Sequence, residues 1–325
     1  MDSQQSRRAR TVSNSDHART LRTHTLGWIG AGRMGFAMAR RLLLAGCDVS
    51  IYNRTRGKAE PLVESGGKVV DSPRDLAGRD ILFTMVSAGA DLIEVISGER
   101  GVLSAARKPK LLVDCSSIST RDSATVRARL QEAGLQLLAA PVSGNAKVVK
   151  SGKLTIVASG PRDAFALAGP YLEALGQGVT YVGDGERARM VKICHNLYLG
   201  ILTQALAEIT VLAQRGGVSR HDFLEFMNRS IMGSVFSRYK TPAFVNLDMA
   251  PTFTPLLLRK DLDLGLKAGQ ELGVPLPLTA LTREYVQKTI AAGHEERDFA
   301  VLLLEQARAA GLVLEPENVP VGDGL

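Results

Sequence analysis

The sequence predicts an α/β domain with a doubly wound, mostly parallel sheet, followed by an all-helical domain. Two observations lead to this fold class. Short apolar runs alternate with helical stretches as far as residue 182, which is the pattern of a parallel sheet covered by helices. From residue 186 onward only helical periodicity remains, beginning with residues 186–215, which contain no proline. We therefore expect domains at residues 25–185 and 186–314.

The elements follow from local patterns. Apolar runs that are typical of strands cover residues 26–29, 48–52, 68–70, 81–86, 111–117, 135–140, 153–159 and 179–182. Helices are expected after the glycine turn that ends at residue 35, at 58–65, at 73–76, after Ser119 and at 161–175. In the second half they are expected at 186–215, 219–230, 234–246, 255–273, 277–292 and 296–311.

Both ends of the chain differ from the rest. Residues 1–24 are rich in Ser and Arg and lack apolar periodicity, which predicts a disordered leader rather than a secretory signal. A transit-like or nucleic-acid-binding arm is the alternative. Residues 315–325 hold two prolines and few large apolar side chains, so we expect a loose tail.

Composition excludes several classes of protein. The three cysteines, Cys47, Cys115 and Cys194, form no C-x-x-C pair, which fits a cytoplasmic protein and gives no metal site. No apolar run approaches the roughly 20 residues of a membrane span, so we expect no membrane partner. The net charge of +7 comes without a nucleic-acid-binding motif, and it suits anionic small molecules instead.

A glycine motif follows the first strand directly. Gly30, Gly32 and Gly35 form G-x-G-x-x-G, in which the glycines permit a tight turn, close approach of a pyrophosphate and close packing of the helix on the strand. The sequence therefore predicts a Rossmann-like fold that binds a dinucleotide at this helix start. The whole loop is expected to contact it: Gly30, Ala31, Gly32, Arg33, Met34 and Gly35.

The end of the second strand selects the cofactor. An acidic residue there would bind the ribose of NAD, whereas the chain has Asn53, followed by Arg54 and Thr55, with Arg56 close by. This pattern favours NADP, with NAD as the second choice. Solvated surface charges are the alternative reading. Two residues at the carboxyl end of the next central strand, Met85 and Val86, are also expected to bind the cofactor.

Five motifs in order give a family resemblance that runs from Thr25 to Leu304. They are G-W-I-G-A-G-R-M-G at 27–35, D-C-S-S at 114–117, A-P-V-S-G at 140–144, K-I-C-H-N at 192–196 and K-D-L at 260–262. With them the chain resembles the β-hydroxyacid dehydrogenase family, which includes 3-hydroxyisobutyrate dehydrogenases and tartronate semialdehyde reductases and, more distantly, 6-phosphogluconate dehydrogenase.

Two residues of the long helix are expected to carry the chemistry. Lys192 and Asn196 are four residues apart and so lie on one helix face, and desolvation would lower the pKa of the lysine toward neutrality. The resemblance implies that Lys192 is the general acid and base and that Asn196 orients the substrate. His195 departs from the family's common K-x-x-N-N form, and either a packed histidine or a pocket edge fits it.

The resemblance also implies the remaining contacts. Ser143 and Gly144 match the family's site for the substrate carboxylate, and Asn145 stands where glycine is frequent, so its side chain is expected in the pocket. Ser116 is implied to contact the substrate and Ser117 the nicotinamide. A further lysine near the nicotinamide is implied at Lys260.

Together these observations predict an NADP-dependent oxidoreductase that transfers hydride between the nicotinamide and a small 3-hydroxy acid or semialdehyde acid. The expected partners are a small-molecule carboxylate substrate and further copies of the chain, in a homodimer or homotetramer. An imine reductase-like enzyme and a catalytically silent dinucleotide-binding module are the alternatives.

Overall fold

The computed structural model describes residues 19–324, which divide into two compact units, the first ending at Ala188 and the second beginning at Arg189. The strands are β1 (Leu26–Ile29), β2 (Val49–Tyr52), β3 (Lys68–Val69), β4 (Ile81–Thr84), β5 (Leu111–Asp114), β6 (Gln136–Ala139), β7 (Val142–Ser143), β8 (Thr155–Ala158) and β9 (Gly178–Tyr181). The helices of the first unit are α1 (Arg33–Leu44), α2 (Gly89–Ser97), α3 (Thr120–Glu132), α4 (Ala146–Lys150) and α5 (Arg162–Leu175).

Six parallel strands form the main sheet in the order β3-β2-β1-β4-β5-β6. Both faces of this sheet are buried, as β4 illustrates. Ile81 and Phe83 belong to one apolar cluster, with α1 and α5, while Leu82 belongs to the other, with α2 and α3. Continuous apolar runs are what such two-sided burial requires. The predicted doubly wound fold is confirmed.

The last three strands form a separate sheet, whereas the sequence predicted one sheet throughout. In this sheet β7 is antiparallel to β8, and β8 is parallel to β9. A single bridge between Ala139 and Ser159 connects it to the main sheet. Pro141, which follows β6 closely, has no N–H group with which to continue the ladder of β6.

The helix predicted at 58–65 is replaced by two 3₁₀ helices, Arg56–Lys58 and Glu60–Ser65. Pro61 cannot donate to the carbonyl of Gly57, so an α-helix through this segment would lose one of its bonds. The segment ends at Gly66, whose φ is +91°. Further 3₁₀ turns lie at Pro73–Leu76, Val102–Ser104 and Phe299–Val301.

The described part of the second unit is helical. Its helices are α6 (Arg187–Arg215, which begins in the first unit), α7 (Arg220–Arg229), α8 (Val235–Asn246), α9 (Pro255–Leu272), α10 (Pro277–Ala291) and α11 (Leu302–Ala309). They enclose an apolar cluster to which α6 contributes Leu197 and Leu206, α8 contributes Phe244, and α9 contributes Leu258 and Leu262.

Helix α6 corrects one expectation from the sequence. By length and composition it could cross a membrane, and half of its most apolar 18-residue stretch is buried within the protein. The sequence reading overlooked it because polar residues such as Gln204 and Glu208 interrupt its apolar runs. A core helix meets the same criteria, and α6 contributes five buried apolar residues to the core of the second unit.

Both chain ends are more ordered than predicted over the residues that the structure describes. Of the predicted leader, residues 1–18 lie outside the described residues, but Leu21 is buried in the core and His24 bonds to the hydroxyl of Tyr171 at 3.1 Å. The predicted loose tail has no helix or strand at 315–324. Nevertheless, Glu317 accepts the backbone N–H groups of Arg220 and His221 at 2.8 and 2.9 Å.

The tail is fixed a second time by Arg220. Its fully buried guanidinium donates to the carbonyls of Phe244 and Val245, at 2.7 and 2.8 Å, and to that of Glu315 at 2.5 Å. These contacts join the tail to the start of α7 and the end of α8. Sequence reading missed them because the partners are distant along the chain.

Candidate active site

The three glycines of the loop between β1 and α1 have different surroundings. A Cβ atom at Gly30, where φ is +99°, would lie 2.2 Å from the carbonyl oxygen of Met85, and one at Gly35 would lie 2.0 Å from that of Gly30. A Cβ atom at Gly32 would meet nothing within 4 Å. Gly30 and Gly35 are therefore required by packing, whereas Gly32 borders open space.

The start of α1 suits an anion. Gly32 is the N-cap, and the first turn, which includes the exposed Arg33 and the half-buried Met34, has no acidic residue. The positive end of the helix dipole is therefore not neutralised by a side chain of the turn itself. The indole of Trp28 donates to the carbonyl of Gly30 at 2.8 Å and so holds the loop in place.

The end of β2 is tied to the glycine loop by Asn53. Its Oδ1 accepts the backbone N–H of Ala31 at 2.8 Å, and its Nδ2 donates to the carbonyl of Thr55 at 2.8 Å. Asn53 therefore positions the loop through its side chain. An acceptor is thus already in place for the Ala31 N–H, which was expected to contact the cofactor.

The cationic groups expected to bind a 2′-phosphate lie beside carboxylates. Arg54 forms an ion pair with Asp91 at 3.1 Å, and Arg56 forms one with Asp71 at 2.5 Å. Arg54 keeps 85% of its side chain exposed. Exposed pairs of this kind contribute only about 0.2–1 kcal/mol, so a phosphate dianion can displace the carboxylate.

At the ends of β4 and β5, Ser116 is enclosed by the protein. Its side chain is fully buried, donates to Asp114 at 2.6 Å and accepts the backbone N–H of Val86 at 2.9 Å. Ser116 therefore supports the strand ends from within. Met85, Val86 and Ser117 are half-buried at the same edge of the sheet.

In the segment after β7, the side-chain oxygen of Asn145 is engaged locally. Asn145 is the N-cap of α4, and its Oδ1 accepts the backbone N–H groups of Lys147 and Val148 at 3.0 and 3.1 Å. Its carbonyl oxygen is therefore used locally rather than presented to a substrate. Gly144 has a φ of +136°, and a Cβ atom there would lie 2.7 Å from Val148, so this turn requires glycine. Ser143 precedes it and is half-buried.

In the second unit the structure brings Lys192, Asn196 and Lys260 together around a residue that was not predicted, Asp261. Asn196 is buried and donates through Nδ2 to Asp261 Oδ2 at 2.5 Å. Lys260 Nζ lies 3.6 Å from Asp261 Oδ1. The other end of the Asn196 amide faces His195, whose Nδ1 is 2.9 Å from Asn196 Oδ1. We call these five residues the lysine cluster.

The electrostatics of the lysine cluster tune Lys192. Burial lowers the pKa of Lys192 from 10.5 to about 8; the carboxylate of Asp261 opposes this shift and the ammonium of Lys260 adds to it. Burial raises the pKa of Asp261, against the effect of both lysines. Desolvation lowers the pKa of His195, and the positive charge of Lys192 lowers it further. An amine that titrates near pH 8 can exchange a proton at physiological pH.

A signal for Asp261 was present in the sequence. The K-D-L motif at 260–262 contains it, but the motif alone does not show which of its two charged residues is buried. Trp28, Asn53 and Asp91 were harder to assign, because their roles depend on partners that only the fold brings close.

The second unit has two further features. A cavity of about 430 Å³ is lined by α7, α8 and the tail, among them His221, Arg229 and Arg238, and none of the predicted site residues lines it. His221, Asp222 and Glu225 offer atoms within 4.8 Å of one another, the spacing of metal ligands. However, Glu225 already pairs with Arg229 at 2.6 Å, and Asp222 bonds to His221 at 3.1 Å.

The glycine loop between β1 and α1 lies where the strand order of the doubly wound sheet reverses, which is the usual nucleotide site of this fold. Together with Lys192, whose pKa burial lowers to about 8, it fits one class of protein, a nicotinamide-nucleotide-dependent oxidoreductase. The profile of the NAD binding domain of 6-phosphogluconate dehydrogenase matches residues 25–183, and that of NAD-binding of NADP-dependent 3-hydroxyisobutyrate dehydrogenase matches residues 186–304. The chain belongs to the β-hydroxyacid dehydrogenase family, whose members act on CH–OH groups, and the two profiles support NADP as its cofactor, with NAD as the second choice.

Relatives and solved structures agree with this family. The 3-hydroxyisobutyrate dehydrogenase of Pseudomonas aeruginosa is 32% identical over 85% of this chain and 96% of its own length. The chloroplastic glyoxylate/succinic semialdehyde reductase 2 of Arabidopsis thaliana is 28% identical over 89% of this chain and 81% of its own. The crystal structure of 3-hydroxyisobutyrate dehydrogenase from Salmonella typhimurium has a TM-score of 0.78 at 28% identity, covering 86% of this chain and 99% of that one.

Imine reductases share the fold. The structure of the enzyme from a Pseudomonas species has a TM-score of 0.57 at 22% identity, over 87% of this chain and 99% of that one. At this identity the likeness shows the fold alone. The imine reductase alternative is therefore less well supported than a dehydrogenase.

Proposed function

We propose that this chain interconverts a small 3-hydroxy acid and its semialdehyde with NADP, and that Lys192 is the general acid and base. The observation that carries the proposal is the lysine cluster, in which burial brings the pKa of Lys192 to about 8 beside a buried amide. The relatives named above act on 3-hydroxyisobutyrate and on glyoxylate and succinic semialdehyde, so a small carboxylate substrate is the natural class.

In oxidation the neutral amine of Lys192 removes the hydroxyl proton as the C–O bond gains double-bond character. A bound nicotinamide would supply the hydride acceptor for that carbon in oxidation and the hydride donor in reduction. In reduction the ammonium of Lys192 gives its proton to the carbonyl oxygen. The negative charge of Asp261 stabilises the ammonium form of Lys192, which limits how far burial lowers the pKa of this lysine.

Other residues bind and orient. We propose that Asn196 donates its second Nδ2 hydrogen to the substrate oxygen, since its first is bound to Asp261. Ser143 and the turn at Gly144 are proposed to bind the substrate carboxylate, and Lys260 and Ser117 to lie against the nicotinamide. Fixing the substrate in this way raises the rate by orientation and by stabilising the developing charge.

The first unit is proposed to hold the cofactor through the loop at 30–35, with Arg54 and Thr55 at the 2′-phosphate and Met85 and Val86 at the strand ends. The open space at Gly32 and the high exposure of Arg54 support this assignment. The second unit is proposed to serve the substrate and oligomerisation.

The proposal of a homodimer or homotetramer has support from exposed apolar side chains. Among the described residues, all of the exposed large apolar side chains except Leu44 and Val63 lie in the second unit. Ile231 is 100% exposed and Leu212 is 72% exposed. Light scattering after size exclusion tests this assembly; a monomer at micromolar concentration would contradict it. We also propose a cytoplasmic location, because three free cysteines fit a reducing compartment; cell fractionation tests it.

The decisive experiment follows NADPH absorbance with a panel of C3–C4 semialdehydes and with cyclic imines, using Lys192→Ala as the control. We expect turnover of at least one semialdehyde by the wild type and a loss of about 10²–10⁴-fold in the variant. Equal inertness of both proteins, with NADPH still bound, would favour the silent binding module. Turnover of imines alone would favour an imine reductase.

A further inference from the structure

Asn196 has both ends of its side-chain amide engaged. Nδ2 donates to Asp261 at 2.5 Å, and Oδ1 lies 2.9 Å from His195 Nδ1. The two ends of an amide are not equivalent, because the oxygen only accepts and the nitrogen only donates. Its orientation is therefore decided by what each neighbour can offer.

Asp261 decides the nitrogen end. Its Oδ2 accepts from Nδ2 of Asn196, and the ammonium of Lys260, 3.6 Å from its other oxygen, opposes the rise that burial causes in the pKa of this carboxyl. Oδ1 of Asn196 must then face His195. A bare Nδ1 opposite that oxygen would place two acceptors at 2.9 Å, which is repulsive, so Nδ1 must carry a hydrogen.

We propose that His195 is a positioning residue for the reaction: its Nδ1–H holds the amide of Asn196 in the one orientation that presents an N–H group to the substrate oxygen. This inference rests on the proposed function of Asn196 and Lys192. Asp261 and His195 then act as two anchors for a single amide, one from α9 and one from α6 itself. Loss of either anchor lets the amide rotate.

Position 195 offers a matched set of substitutions. In histidine, Nδ1 is bonded directly to Cγ, and in asparagine Nδ2 is bonded directly to Cγ as well. His195→Asn therefore keeps an N–H donor at the same number of bonds from the backbone, His195→Gln moves it one bond further, and His195→Ala removes it. The series separates a donor at a fixed place from bulk or charge.

Kinetics test the inference in the full-length protein. We expect His195→Ala to lower kcat by about five- to tenfold, the effect of one lost hydrogen bond, with the KM for NADPH unchanged. His195→Asn should return kcat to within about twofold of the wild type, and His195→Gln should remain closer to the Ala variant. Wild-type kcat in His195→Ala, or no rescue by Asn, would overturn the inference.

A second readout does not depend on activity. The two-bond proton–nitrogen NMR spectrum of protein with ¹⁵N-labelled histidine reports which ring nitrogen is protonated. The chain has five histidines, and the signals of His195 are those that disappear in His195→Asn. We expect the Nδ1–H tautomer in the wild type and a shift toward Nε2–H in Asn196→Ala. An Nε2–H tautomer in the wild type would overturn the inference. If instead the wild type turns over no substrate while the tautomer is as expected, the proposed function fails and the hydrogen bond stands.

Discussion

The ammonium of Lys192 makes stability depend on pH in a direction that the structure fixes. Its pKa is about 8 in the folded protein and 10.5 for an ordinary lysine, so between these values the unfolded chain holds more protons than the folded one. Stability therefore rises with pH through this window. Below pH 8 the full cost of burying the charge is present, and above 10.5 it is gone.

The magnitude follows from the two values. Integrating the linkage relation gives a gain of about 1 kcal/mol between pH 7 and 9 and about 2 kcal/mol by pH 9.5. Lys192→Met removes the titrating group, so the gain should appear as a change with pH in the stability difference between wild type and variant. Groups outside the lysine cluster titrate alike in both proteins and cancel.

The assay is chemical unfolding of both proteins at pH 7, 8, 9 and 9.5, at one salt concentration throughout. Lys267→Met, an exposed lysine on α9, is the matched control and should track the wild type at every pH. The same Lys192→Met variant should lose activity by about 10²–10⁴-fold. A wild-type-to-variant difference that stays constant from pH 7 to 9.5 would refute the reasoning, because Lys192 would then have an ordinary pKa.

Three further outcomes are expected. In reduction kcat should fall as the pH rises through about 8, and in oxidation it should rise through the same value, since Lys192 gives a proton in one direction and takes it in the other; parallel profiles would contradict this role. Gly32→Ala should weaken NADPH binding at least about tenfold with little change in Tm, whereas Gly35→Ala should cost about 2–3 kcal/mol of stability, as measured by fluorescence titration and thermal unfolding. Arg54→Ala should lower the preference for NADP over NAD about tenfold, and Asp91→Asn should raise it about two- to fivefold; unchanged ratios of binding constants would remove Arg54 from the phosphate site.

Local patterns predicted most of the fold. The apolar runs of β1, β4 and β5 are continuous because both faces of the sheet are covered, and the helices of the second unit begin and end within a few residues of their expected bounds, apart from α11. The separate sheet of β7–β9 was missed because strand propensity does not show which edge a strand joins. Pro141 was the one local sign of the break.

Predictions of the site depended on how far apart the partners lie in the chain. Lys192 and Asn196 share a helix face, so their spacing alone placed them together. The burial of Ser116 could not be read from D-C-S-S, because its partner Val86 lies thirty residues away along the chain. The N-cap role of Asn145 had a local signal that the sequence analysis did not use, because Asn directly before a short helix is a preferred N-cap.

The buried guanidinium of Arg220 affects how parts of the second unit open by local unfolding. Since one side chain bonds carbonyls at the end of α8 and in the tail, while Glu317 covers the first amides of α7, these three segments cannot fray one at a time. They form a single cooperative opening unit, in which detachment of the tail exposes a charged group and two orphaned amides at once. Slow hydrogen exchange at residues 220 and 221 is the signature of such coupling.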